Sequence, residues 1–181
     1  MGAQPLLFIQ GAGDMRAAEG SGHLADYLGK ELGDDYRVIA PEMPDADHPR
    51  YRPWRDRIAR ELAAIDDAVI LVGHSFGGSV LLKYLAEGTH RKPIRGVFLV
   101  AVPYWDAQRF EEFALAEDFP SRLPPSEIFL YHSRHDPEVP AEHLRRYEEK
   151  LPNATARSVA GSEHSFLQGL PELVGDILRL Q

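Results

Sequence analysis

The run Val69-Ile70-Leu71-Val72-Gly73-His74-Ser75-Phe76-Gly77-Gly78 limits what this chain can fold into more than any other segment. Its apolar, largely β-branched start reads as a strand buried on both faces, and the stretch from Gly78 to Glu87 reads as a helix. Small residues at 73 and 77 let the chain reverse so tightly that Ser75 is forced into a strained, exposed conformation, and a larger side chain at either position would clash. Strand, sharp turn, apical serine and helix make up a nucleophile elbow. The amides at the start of the helix point towards Ser75, where negative charge would develop on an attacked carbonyl. The pattern implies acyl-transfer chemistry. An ordinary glycine-rich strand-to-helix turn can carry the same string, so the partners of the serine decide between the two readings.

A serine hydroxyl needs a base within hydrogen-bond reach and a third group that fixes the base's tautomer. After an elbow of this kind the chain order is acid, then histidine. Glu127 to His132 reads as a further buried strand, and Asp136 follows in the loop Ser133 to Pro140. Thr155 to Ala160 reads as the next strand, and His164 follows in the loop Gly161 to Phe166. Ser75, Asp136 and His164 thus stand in the required order at three strand ends. Each partner also has a plainer role available. Asp136 before proline is suited to starting a turn and capping the helix near Pro140 and Ala141, and His164 to a surface loop. Asp106 and Glu138 are rival acids.

The remaining histidines do not suggest a metal. His132 and His135 straddle a strand end rather than sharing a helix face, and no HExxH motif or cysteine accompanies them. His74 reads as packing or lining beside the nucleophile, and His23, His90 and His143 as solvent-facing. Near the start, Leu6 to Ile9 reads as a strand that runs into the glycine-rich loop Gln10-Gly11-Ala12-Gly13-Asp14-Met15. That loop suits the second half of an oxyanion hole, with the amides of Ala12 and Phe76 as donors. Gly11 and Gly13 also match the first glycines of a dinucleotide fingerprint, but Arg16 occupies the third glycine position.

Strands are expected near 5–10, 36–40, 68–72, 96–102, 127–132 and 155–160, with helices near 21–32, 53–66, 77–88, 108–116, 141–150 and 171–180. This alternation predicts an α/β fold: a doubly wound, mostly parallel sheet of about six strands with helices on both faces. Residues 1–181 are expected to form one domain, too short for a second or for a sizeable cap. All the candidate residues fall at the carboxyl ends of the strands, where ligands of such sheets bind.

Taken together, the elbow, the triad order and the glycine-rich first loop make the chain resemble an α/β-hydrolase. Within that superfamily it is similar to the small, lidless serine hydrolases related to retinoblastoma-binding protein nine. Glu42-Met43-Pro44-Asp45, the following Trp54 and the start at the oxyanion strand carry this narrower resemblance. It implies hydrolysis by Ser75, His164 and Asp136. The chain departs from the family pattern at Gln10, where many relatives carry histidine, at Ser133, a frequent glycine, and at Ser162-Glu163, where glycine commonly precedes the histidine.

Substrate selection should come from segments overhanging the elbow. Tyr104 and Trp105, just past the strand Val97 to Val102, are the expected pocket residues, whereas Phe110 and Phe113 read as packing on the sheet. The expected substrate is a small-molecule ester with a small or medium acyl group, or an amide or thioester, cleaved through an acyl-enzyme with no cofactor and no metal. A protein-binding module on a hydrolase scaffold and an acyltransferase or perhydrolase with the same triad are the alternatives. The formal charge of -8 weighs against nucleic acid and anionic membranes as partners. Arg50 to Arg57, though locally basic, reads as the solvated first turn of a helix. No protein partner is indicated, and with no signal peptide or membrane span in view the expected location is cytoplasmic.

Overall fold

The computed structural model describes residues 2–89, 92–108 and 110–180. Its sheet is built from β1 (Gln4–Ile9), β2 (Tyr36–Ile39), β3 (Val69–His74), β4 (Ile94–Val100), β5 (Glu127–Ser133) and β6 (Thr155–Val159). The strands are all parallel, in the order β2-β1-β3-β4-β5-β6. The helices are α1 (Gly22–Leu32), α2 (Tyr51–Ala63), α3 (Phe76–Ala86), α4 (Glu142–Lys150) and α5 (Pro171–Arg179). This is the doubly wound α/β-hydrolase arrangement in minimal form.

Side chains two apart along a strand share a face, and the helices sort accordingly. Leu6 and Phe8 of β1 face Leu24 and Leu28 of α1 and Leu173 and Ile177 of α5, whereas Leu7 and Ile9 face the layer of α2, α3 and α4. Because both faces are covered, β3 is buried at every position, which is why it reads as a continuous apolar run. The strand order reverses between β1 and β3, so the loops leaving these neighbours open a crevice at the carboxyl edge. Ile9 pairs with Gly73, which brings the Gln10 to Gly13 loop and the elbow side by side.

Three glycines make that neighbourhood sterically feasible. A Cβ on Gly77 would overlap the Gln10 carbonyl oxygen and lie 2.7 Å from that of Ile9. One on Gly73 would lie 2.5 Å from the Cα of Gly78, and one on Gly78 would overlap Val102.

The expected helix at 108–116 is not formed among the described residues of that stretch, which lie in turns and irregular chain. Distant side chains and a local turn hold the segment instead. Lys83 donates to the carbonyl of Glu112 at 2.8 Å, the Glu112 carboxylate accepts from the Tyr51 amide and Arg50, and Asp106 accepts from the Gln108 amide. Phe113 is drawn onto Phe76 and Trp105. The basic run from Arg50 does enter α2, with Tyr51 and Trp54 buried and Arg57 paired to Glu61.

Gly77→Ala is predicted to cost about 3 kcal/mol by overpacking against β1, while Gly29→Ala, on an exposed turn of α1 with open space around it, should gain about 0.5 to 1 kcal/mol. Urea unfolding of the two variants checks both signs.

Candidate active site

Ser75 stands at the apex between β3 and α3 with φ 49° and ψ -126°. That left-handed conformation is costly for a residue with a Cβ and persists only because the surroundings fix it. The Ser75 amide donates to Val100 of β4 at 2.8 Å, and the Ser75 carbonyl accepts from the amides of Gly78 and Ser79 as α3 begins. The hydroxyl is thereby presented at the crevice.

His164 and Asp136 reach it from the loops after β6 and β5. His164 Nε2 lies 3.0 Å from Ser75 Oγ, and His164 Nδ1 lies 2.8 Å from Asp136 Oδ2. With Nδ1–H donating to the carboxylate, Nε2 is free to accept from the serine hydroxyl. Asp136 divides its two oxygens between two tasks. Oδ1 accepts the amides of Glu138 and Val139 at 2.8 and 2.9 Å, closing an Asx-type turn, while Oδ2 serves the imidazole. It does not cap α4, whose N-terminus has no side-chain cap. Burial pushes its pKa up, but the hydrogen bonds from His164, Val139 and Glu138 outweigh this, and the carboxyl is held below its usual value.

The rival acids separate clearly. Asp106 binds the amide of Gln108 in its own turn. Glu138 lines the cleft with its carboxylate 3.6 Å from His164 Nε2, on the side opposite the Nδ1 that Asp136 engages.

Ala12 and Phe76 flank the serine on the first loop and on the first residue of α3, and among the described residues neither amide donates a hydrogen bond within the chain. The first loop is tied from within: Gln10 donates to the carbonyls of Gly13 and Gly11 and accepts the Met43 amide, and Gly13 donates to Ala46. Trp54 in turn donates to the Pro44 carbonyl at 2.8 Å, which joins the Met43-Pro44 segment to α2.

The cleft around Ser75 measures about 250 Å³ and is lined by the loop from Gly11 to Ser21 together with His74, Glu138, His164 and Ser165. Tyr104 and Trp105 are not part of this lining. Trp105 packs on Phe76, Phe110 and Phe113, and Tyr104 on Tyr147. A larger hollow of about 580 Å³, bounded by Pro120, Leu123 and Lys150, lies at the opposite end of β5, and none of Ser75, Asp136 and His164 lines it.

Among the histidines, His23 is exposed, His143 accepts the Tyr104 amide at 2.7 Å, and His132 donates to the Val139 carbonyl at 2.7 Å. His90 lies outside the described residues. Among those described, no group of three or more histidine or acidic side chains is arranged to hold a metal ion, and no helix is long and apolar enough to cross a membrane.

A family model described as serine hydrolase matches residues 10–165. The chain belongs to this serine hydrolase family. Its fold is shared by solved structures of low identity. The ydeN gene product of B. subtilis has a TM-score of 0.79 at 19% identity, covering 98% of each chain. The esterase RhEst1 from a Rhodococcus species has 0.74 at 18%, covering 98% of this chain and 90% of that one. The meta-cleavage product hydrolase CumD of Pseudomonas fluorescens has 0.78 at 16%, covering 99% and 90%. No curated protein matches the sequence.

Sequence reasoning missed the part played by His74 in this serine hydrolase. Its ring is buried, and desolvation lowers its pKa to about 4 despite the His164 carbonyl and Asp136, which favour the charged form. The unfolded chain protonates such an imidazole near pH 6.5. Between these values the unfolded state holds more protons, so stability falls as pH drops from about 6.5 to 4, by up to about 3 kcal/mol. Asp136 adds a loss only at more acidic pH, below the ordinary carboxylate value. An NMR titration should find the His74 ring neutral at pH 5; a midpoint near 6.5 would contradict its burial as a neutral group.

Proposed function

We propose that this serine hydrolase cleaves small carboxylic esters through an acyl-enzyme, with Ser75 as nucleophile, His164 as general base and acid, Asp136 as the orienting carboxylate, and the Ala12 and Phe76 amides as oxyanion donors. The observation that carries the reading is the unbroken chain from Asp136 Oδ2 through His164 to Ser75 Oγ, at 2.8 and 3.0 Å. Ser75 Oγ attacks the acyl carbon as its proton passes to His164 Nε2. The carbonyl oxygen takes the negative charge and accepts the two free amides. Collapse expels the alcohol, which recovers the proton from Nε2. Water then repeats the sequence: it yields a proton to Nε2, its oxygen bonds to the acyl carbon, and the acid departs as Ser75 regains its hydrogen.

The substrate side of the reading rests on the cleft. About 250 Å³ bounded largely by backbone and short side chains suits a short acyl group and offers little apolar surface to a long one. The reading takes residues 1–181 as one domain acting on a small molecule in the cytoplasm, with every step drawn from this chain's own groups.

Labelling with a fluorophosphonate, followed by mass-spectrometric mapping, should find the adduct on Ser75 and lose it in Ser75→Ala and His164→Ala. No adduct on folded protein would overturn the proposal. With an activated ester, Asp136→Asn should lower kcat by about 10⁴-fold and Asp106→Asn should leave it unchanged; the reverse would move the acid to residue 106. Within a series of 4-nitrophenyl esters, kcat/KM should decline from acetate to octanoate, and a rise would contradict the small cleft.

A further inference from the structure

The His74 imidazole lies at the centre of a hydrogen-bonded line whose every direction is determined. The Gly11 amide can only donate, and it lies 2.7 Å from Ser21 Oγ. The hydroxyl therefore accepts from Gly11; at the far side of the ring the His164 carbonyl can only accept, so the neutral imidazole keeps its proton on Nε2 and leaves Nδ1 to accept the Ser21 proton, also at 2.7 Å. The Nε2 proton is donated to the His164 carbonyl at 2.9 Å. The other tautomer would set a bare Nε2 against that carbonyl oxygen, lone pair to lone pair. One buried ring thus joins the loop after β1, the entrance to α1, the elbow and the loop after β6.

We propose that His74 is a positioning residue, which with Ser21 holds the oxyanion loop and the His164 loop in register about Ser75. The proposal rests on the reading of Ser75 and His164 as nucleophile and base. Three features give the relay its leverage. Gly11 directly precedes Ala12, so the bond to its amide anchors the backbone one residue before the oxyanion donor. The bond at the other end is to the backbone of His164 itself, so it sets the root of the side chain that must meet both Ser75 and Asp136. The fit is also close: a Cβ on Gly11 would stand 3.2 Å from His74 Nδ1, Ser21 Oγ and Ser75 Cβ alike. Ser21 precedes α1 without making a side-chain cap bond to it, so its hydroxyl serves the relay and not the helix.

The test compares the parent protein with Ser21→Ala, His74→Phe and the double variant, each titrated with a fluorophosphonate so that kcat is expressed per reactive site. Misplacement of the reacting groups without loss of binding surface should lower kcat by about 10- to 100-fold with KM nearly unchanged. The rate of phosphonylation should fall by the same factor, and the double variant should be no worse than the more impaired single one. A role confined to stability would lower the melting temperature and the titratable fraction but leave kcat per site intact, and that result in Ser21→Ala would overturn the relay even if His74→Phe does not fold. Absence of an adduct in the parent protein would instead overturn the reading of Ser75, and the relay with it.

Discussion

The closeness of α3 to the end of β1 is the constraint on which the rest depends. Only a hydrogen fits between Gly77 and the carbonyls of Ile9 and Gln10, and the same turn leaves no room for a side chain on Gly73 or Gly78. With α3 seated that deep, Ser75 has no choice but a positive φ, and its hydroxyl is lifted out of the sheet to where the loops after β1, β5 and β6 converge. The strain at Ser75 is sustained by the surrounding bonds rather than by local preference: the β4 carbonyl on one side and the first turn of α3 on the other.

Much of this was legible in the sequence because it follows from short-range rules. A strand buried on both faces must be apolar throughout, a turn this tight must use small residues, and functional side chains in parallel sheets gather at the carboxyl ends. Those rules located all six strands within a few residues and placed Ser75, Asp136 and His164 on neighbouring loops. The failures have a common cause, which is that distant partners decided the outcome. The segment at 108–116 has helical spacing, yet Lys83, Tyr51 and Arg50 claim its polar groups and Phe76 and Trp105 claim its rings. Trp105 likewise packs on Phe76, and Tyr104 on Tyr147, outside the lining of the cleft.

The departures from the family pattern have physical counterparts. Gln10, where histidine is common in relatives, cross-links the first loop with three hydrogen bonds. Ser133, where glycine is frequent, donates to the carbonyl of Glu163 and secures the residue just before His164. Ser165 on the other side donates to the Glu19 carbonyl at 2.7 Å. The loop that carries His164 is therefore fastened before, at and after the histidine, by Ser133, His74 and Ser165. None of these bonds has a sequence signature, since each joins residues at least thirty positions apart.

The central claim is that Ser75 is a nucleophile whose developing oxyanion is received by the amides of Ala12 and Phe76. A crystal structure of the fluorophosphonate adduct tests both parts at once. The account predicts phosphorus bonded to Ser75 Oγ, with the phosphoryl oxygen about 2.7 to 3.1 Å from both amide nitrogens. Phosphorus on another residue, or a phosphoryl oxygen turned to solvent away from Ala12 and Phe76, would contradict it.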